Sequence, residues 1–585
     1  MNGVVSDWLI RLGSLSWLTG PIFDKELRVS SRRRRNYVLR FAYILFFAIL
    51  VALVWAEEVP RGSGSIMHVS RMARAGLTIT TFVVWFQFLA VQVIAIVMLS
   101  TAISDEIYHK TLGLLMTTPV GSLQIVLGKL LSKLLQLVLL LAITLPLLAI
   151  VRIFGGVPWS YLVGALCITL TTAIFVGSLS LFISIFTRRA HTVIIGTMLT
   201  SAALFTLVPL LALLMFHEVF SENDIIRVCS YINPYLVLTG ATEAAMTARR
   251  GAGFAPWPAH CGIALGASAG LLLLAATFVR KVALRQATGQ SVLLSARKKV
   301  ETGADATTGR RIRRVVGPPV LWKERRMPLL GKPGVARIIL GILALGLLIL
   351  TYALCAHEGM LDEDEVQVTY IVIFTGLGIL FTMILPATCI TSEKESRAWP
   401  ILLTTTVSNW EVLWGKFLGA LRRCSAAWLL LFAHVVVFIL SGIIHPIALL
   451  QLGILVAWLG FFLCATGLYF GTRFRRTTTA VVANVALAAG LWAVLPLMLG
   501  LVLEVTRVGD DLLEFYLDMN PVVHAIVIAM ATAHDGDLGR YDWIQGGTRD
   551  LASAMGWILF NFVVYVGVGL AFLGRAWSRL RRNPV

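Results

Sequence analysis

Apolar residues run along this chain in long blocks, and the polar ones gather at the joints between them. Segments 37–56, 77–103 and 190–216 each hold about 20 apolar residues or more with almost no charge, the length a helix needs to cross a bilayer. Runs of this length favour helices over a barrel, whose strands are shorter and alternate. The pattern predicts an all-α polytopic membrane protein of about 12 spans. Six fall at 37–56, 77–103, 134–153, 159–187, 190–216 and 258–279, and six at 338–356, 366–390, 425–443, 447–472, 477–503 and 554–573.

The second six repeat the first. At an offset of 287, Ile103-Ser-Asp-Glu106 falls on Ile390-Thr-Ser-Glu393, Thr117-Thr118 on Thr404-Thr405, and Gly128-Lys129 on Gly415-Lys416. Arg188-Arg189 then meets Arg475-Arg476, and Asn233-Pro234 meets Asn520-Pro521. Before each first span, Pro21, Lys25 and Glu26 match Pro319, Lys323 and Glu324 at offset 298. Shared hydrophobicity would align spans only loosely; polar residues in register mark a true internal repeat. Six crossings is an even number, so the copies enter the membrane the same way, as parallel six-helix repeats about an axis along its normal.

The division follows directly. Residues 1–36 form a cytoplasmic or interfacial N-terminal segment and 37–280 the first six-helix unit. A basic cytoplasmic linker with a second interfacial segment occupies 281–337, the second unit 338–574, and a basic tail 575–585. Tryptophans and leucines between Trp8 and Trp17 could form an interfacial helix or a disordered leader, and the first 20 residues do not read as a cleavable signal. The linker's middle, Thr302 to Gly309, has a disordered composition.

Composition agrees with a membrane protein. Hydrophobic residues make up 58% and charged residues 14%, with mean hydropathy +0.83. The net charge of +19 raises nucleic-acid binding, and its distribution dismisses it. With the N-terminus inside, inner segments and their flanks hold 40 Lys+Arg against 11 Asp+Glu, and outer ones 10 against 20. That is the positive-inside asymmetry; it places both termini in the cytoplasm and brings basic segments against anionic lipid. Of seven cysteines none forms a CxxC pair, and Cys229 and Cys261, both on the outer side, could pair.

The inner loop after the second span of each half is the most informative stretch. It runs from Ser104 to Lys129 and from Thr391 to Lys416: a charged stretch, a short apolar helix, a Thr-Thr turn and an amphipathic helix entering the next span. Thr117 and Thr118 are suited to cap the helix that follows, which Pro119 would open. The result is a rigid cytoplasmic protrusion fit for docking a partner.

This loop resembles that of the ABC-2 family of ABC-transporter permeases: an acidic-basic start, Gly-Thr, a leucine run, Thr-Thr-Pro, then Gly-Lys, with the Gly-Thr step replaced by Lys110-Thr111 in one half and Arg397-Ala398 in the other. The segment at Pro21 resembles the family's amphipathic start, and the Asn-Pro at Asn233 its last outer turn. The resemblance implies a coupling helix at this loop, moved by a separate ATP-binding subunit. It would place Glu106, Lys110, Thr117, Thr118, Pro119 and Lys129 at that contact, with Glu393, Arg397, Thr404, Thr405 and Lys416 in the second copy. Lys25, Glu26, Lys323 and Glu324 would lie in the interfacial segments. The halves depart from the pattern unequally: Thr406 replaces the proline and Pro400 interrupts the leucine run, which implies a weaker or asymmetric second contact.

No nucleotide-binding, zinc-protease or serine-hydrolase motif occurs, so the chain reads as no enzyme and binds no cofactor of its own. ATP and Mg would be bound by the partner subunit, present in two copies. His534, Asp535 and Asp537 read as a solvated turn. Polar residues within spans, Gln87, Gln92, Gln136, His434, Asn484 and Asn561, are either pathway liners or helix–helix hydrogen bonds. Within the spans no buried acidic pair is visible, which disfavours an ion-coupled carrier. The expected function is that of a permease subunit in the plasma (inner) membrane, moving an unidentified substrate outward; a non-transporting scaffold for cytoplasmic partners is the alternative.

Overall fold

In the computed structural model the described residues are 66–581, apart from 109–110, 154–155, 188, 248–255, 288–314, 316, 327–334, 507–510, 534–540 and 543–547, together with parts of 22–52. The leader around Trp8, the linker's middle, Lys110 and the His534–Asp537 turn lie outside them. The chain divides into two compact units, Met1–Leu293 with Glu504–Arg507, and Leu294–Leu503 with Val508–Val585.

In the first unit, α1 (Ile66–Ser100) leads through α2 (Ser104–Tyr108) and the short α3 (Leu112–Met116) into α4 (Ser122–Ile153). Then come α5 (Trp159–Phe186), α6 (Ala190–Ala202), a π-turn (Ala203–Leu207), α7 (Val208–Phe216), α8 (Glu222–Ser230), α9 (Pro234–Thr247) and α10 (Trp257–Ala287). The second unit opens with α11 (Pro319–Arg325) and α12 (Val335–His357), followed by α13 (Asp364–Glu395), α14 (Trp399–Leu403) and α15 (Asn409–Leu440). It continues with α16 (Ile447–Arg473), α17 (Thr477–Ala489), a π-turn (Gly490–Val494), α18 (Leu495–Thr506), α19 (Asp511–Leu517) and α20 (Pro521–Thr532). A two-residue ladder, β1 (Tyr541–Asp542) against β2 (Thr548–Arg549), precedes α21 (Leu551–Arg579).

Ten of the described helices are long and apolar enough to cross a membrane. They coincide with ten of the expected spans. The first expected span, 37–56, is described only in part, as helix where it is described, and the seventh corresponds to α12. Several helices run past the apolar block: α4 begins at Ser122, so the amphipathic helix after the Thr-Thr turn is continuous with its span. Within a span the helix satisfies its own backbone, so the apolar side chains are free to face lipid or pack inward.

The repeat reaches into local geometry. α3 and α14, α4 and α15, and the two π-turns begin and end 287 residues apart. A π-turn widens the helix by one residue and disturbs its carbonyl pairing. Asn233 Nδ2 donates to Phe205 O at 2.6 Å and Asn520 Nδ2 to Trp492 O at 2.8 Å, a carbonyl inside each π-turn. The same asparagines accept from the amides of Tyr235 and Val522, so each also caps the helix opened by its proline. In the second unit α19 and α20 meet at 82°.

Cysteines among the described residues are free, Cys229 and Cys261 included. Burial pushes the Cys229 thiol up from its ordinary value.

Candidate functional site

At one end of each unit the second span, the hairpin that follows it, the third span and the segment before the first span are tied by charge. In the second unit α11 lies across α15 at two glycines. A Cβ on Gly415 would stand 2.8 Å from Val320 Cγ1, and one on Gly419 2.5 Å from Glu324 Cβ, so only glycine allows this approach. The approach buries Glu324 against the cations of α15. Lys416 Nζ lies 2.6 Å from both Glu324 Oε1 and Glu393 Oε1. Lys323 Nζ reaches the same Glu393 oxygen at 2.7 Å, and Arg423 stands 3.3 Å from Glu324 Oε2 as a charge pair without hydrogen-bond geometry. The Lys416 and Glu324 side chains are each 1% exposed.

The first unit builds the same clasp more loosely. Lys129 Nζ meets Glu106 Oε1 at 2.8 Å, Thr111 donates to the other Glu106 oxygen, and the charge of Lys25 acts on the same carboxylate. Glu26 pairs with Lys133 at 3.4 Å, both partly exposed. In both units the Lys-Glu pair before the first span therefore works in one way. Its lysine addresses the glutamate ending the second span, and its glutamate addresses a cation on the third.

Eight of the residues singled out in the sequence are thus drawn together, but toward one another rather than toward solvent. Two expectations are corrected. The interfacial glutamates and the loop glutamates form one cluster in each half, and buried carboxylates do exist: Glu324, Glu393 and, where α19 meets α20, Asp518 are each nearly inaccessible. Hydropathy could not reveal them, because their partners are distant in sequence; the pattern Gly415-Lys416-x-x-Gly419-x-x-x-Arg423, small and basic on one helical face, was the available signal.

The threonines also act differently from expectation. Thr117 and Thr118 donate to Leu114 O and Leu115 O, and Thr404 and Thr405 to Ile401 O and Leu402 O. They close the short tip helix, whose last carbonyls need partners, and do not cap the next one. That helix is capped by the Gln124 side chain on Gly121 N in the first unit, and by a Ser408–Glu411 capping box in the second. Arg397 turns into the tip at φ 56, with Ala398 N bonded back to Glu393 O at 2.9 Å. Pro119 is exposed.

What the hairpins present outward is apolar. Leu114 is 73% exposed and Ile401, 287 residues later, 69%. Leu123 and its counterpart Trp410, at the start of the third span, are exposed as well. Behind the tips the sixth span packs on the hairpin in each unit: Val279, Val282 and Ala283 share a core with Leu112, and Leu573, Ala576 and Leu580 share one with Trp399.

Two models described as ABC-2 family transporter protein match the chain, one over residues 21–354 and the other over 357–571. The chain belongs to the ABC-2 transporter family. It is a multi-pass transmembrane subunit of an ABC transporter, built from domains that are membrane components and not nucleotide-binding ones, and the family implies an ATP-binding-cassette partner. No curated protein matches the chain at a significant level.

The intramembrane polar residues of this ABC-2 subunit are enclosed within their own units. Gln87 accepts from Thr144 at 3.1 Å, Gln92 from Tyr235 at 3.1 Å, and His434 Nδ1 lies 2.7 Å from Tyr352 Oη. Asn484 accepts from Thr466 at 2.7 Å and donates to Met383 O at 2.8 Å. Gln136 donates to Ser132 O on its own helix, and Asn561 to Asp518 O. Apart from that of Gln136, each bond joins neighbouring elements of one bundle, the helix-to-helix role. Among the described residues no group of three His, Cys, Asp or Glu side chains is placed to hold a metal.

Proposed function

We propose that the tips at Leu112–Met116 and Trp399–Leu403 are the docking points of two ATP-binding subunits, whose ATP- and Mg-dependent closure drives the substrate outward. The observation that carries this reading is the matched exposure of Leu114 and Ile401 at the ends of two hairpins, each braced by a buried or half-buried ion pair. An apolar knob on a stiff arm transmits displacement, whereas a mobile one would absorb it. In this reading Thr117, Thr118, Pro119, Thr404 and Thr405 touch the partner. Glu106, Lys129, Glu393 and Lys416 act through the stiffness of the arm, with Lys25, Glu26, Lys323 and Glu324 clasping it.

The charge asymmetry supports cytoplasmic termini in the plasma (inner) membrane and contact of the basic segments with anionic lipid. The test is Leu114→Asp and Ile401→Asp in the full chain, reading co-purification and stimulation of its cognate ATP-binding subunit. A loss of both, with membrane insertion intact, is expected. Unchanged stimulation would overturn the assignment.

A further inference from the structure

The matched second spans end differently. In the second unit α13 finishes in Glu393-Lys394-Glu395, and Glu393 belongs to the clasp. Lys394 Nζ donates to the carbonyls of Gly471 at 3.0 Å, Thr472 at 2.6 Å and Phe474 at 3.3 Å. These are the last carbonyls of α16 and its turn, acceptors that a helix leaves without internal partners, and a cation there also suits the helix dipole. Glu395 takes the Thr477 amide at 2.6 Å and the Thr477 hydroxyl at 2.8 Å. It thereby caps α17 from outside the helix, where the N-cap residue Arg476 supplies no side-chain bond. Two adjacent residues at the foot of the docking hairpin hold both ends of the inner turn that joins the fourth and fifth spans.

In the first unit the positions 287 residues earlier are Ile107, Tyr108 and Ala190. None carries an ammonium, carboxylate or aliphatic hydroxyl matching Lys394, Glu395 or Thr477, so both sides of the link are replaced together. We infer that Lys394 and Glu395 are positioning residues that make the second docking hairpin and the α16–α17 turn move as one body. Displacement of the second tip then passes directly into the fourth and fifth spans of its half, whereas the matched first-half positions carry different side chains. The transport meaning of this link rests on the docking role proposed above; its mechanical content does not.

The test uses the full chain alone in lipid nanodiscs, with amide hydrogen exchange read by mass spectrometry for wild type, Lys394→Met, Lys394→Arg and Glu395→Ala. Exchange reports local opening free energies segment by segment. Lys394→Met and Glu395→Ala are each expected to speed exchange at least ten-fold both at 477–480 and in the hairpin at 396–408. The matched first-half segments 111–121 and 190–193 should be unchanged, and Lys394→Arg, which keeps the cation, should stay near wild type. A purely local cap would accelerate 477–480 and leave the hairpin untouched; that result overturns the inference. Should Lys394→Met fail to fold, Glu395→Ala decides the matter, since Glu395 is exposed. No ATP-binding protein is present, so a failure of docking at Leu114 and Ile401 leaves this outcome unaffected and the two failures are separable.

Discussion

Replacing Lys416 with methionine removes the ammonium at the centre of the second clasp while keeping most of the length of the side chain. Two carboxylates lose a partner 2.6 Å away. They are not left bare, because Glu324 keeps Arg423 at 3.3 Å and Glu393 keeps Lys323 at 2.7 Å. Removing one member of a buried pair costs about 3–5 kcal/mol, and the remaining cations place this case near the lower end. A loss of about 3 kcal/mol corresponds to roughly 100-fold more frequent local opening. Lys129→Met is the control: its partner Glu106 is 26% exposed, and pairs open to solvent contribute about 1 kcal/mol or less. The chain carries its own reporters. Cys389, Cys424 and Cys464 are buried around the second clasp, and Cys261 is buried in the first unit. Thiol labelling resolved by peptide should rise roughly 100-fold at the three second-unit cysteines in Lys416→Met and only a few-fold anywhere in Lys129→Met. Adding Glu324→Gln, Glu393→Gln and Arg423→Met to Lys416→Met should recover much of the protection, since Arg423 is the other buried cation of the cluster and replacing a whole buried ionic group is close to neutral. Equal labelling in the two lysine variants would refute the unequal burial on which the reasoning rests.

Three further outcomes are expected. Asn520→Ala removes both a helix cap and the donor to the π-turn carbonyl of Trp492, a combined loss of about 2 kcal/mol, visible as faster exchange at Val522 and around 490–494; slower or unchanged exchange would contradict the latch. Gly419→Ala forces α11 away, because its Cβ would meet Glu324 Cβ at 2.5 Å, whereas Gly453→Ala has open space. Cys389 labelling should rise in the first and not in the second. The Asp550 carboxyl caps α21 and is held below its ordinary range by hydrogen bonds from the Ser553 hydroxyl and amide. A depressed acid stabilises above its unfolded pKa and loses that contribution as pH falls through its folded one, so exchange at 551–553 should quicken, beyond the intrinsic change, only on acidification, and Asp550→Asn should abolish this dependence.

Much of the architecture was legible because it depends on period and register. A polar residue cannot slip along a buried helix without finding new partners, so Glu106 over Glu393 and Lys129 over Lys416 carried the repeat more reliably than the apolar runs did. The partners themselves were not legible. Lys416 meets Glu324 across 92 residues and Lys394 meets Thr472 across 78, and nothing local in either segment announces such a pairing. The threonines were misread for a related reason: a hydroxyl after a short helix can turn forward to cap or backward to close, and only the backbone at Leu114 and Ile401 decides. The π-turns left no compositional mark, although the asparagines that serve them were visible as Asn-Pro.

The two halves share one ionic feature, the clasp of Glu106 with Lys129 and of Glu393 with Lys416. Their other shared features are geometric: tip helices of equal length, π-turns in register, asparagines on the same carbonyl, an exposed aliphatic residue at each tip. Each fixes a shape, and two copies of a bundle must keep that shape to present equivalent surfaces. The unshared features are ionic: Lys394, Glu395 and Thr477 against Ile107, Tyr108 and Ala190, and Arg423 against Gln136. Charge-assisted bonds in a partly dry junction set stiffness rather than shape, because each must break before the elements part. If partners dock at the two tips as proposed, equal shape with unequal stiffness would turn a symmetric push into an asymmetric response. Under the docking proposed above, the Thr406 and Pro400 departures fall on the hairpin that carries the additional Lys394–Glu395 link to α16 and α17.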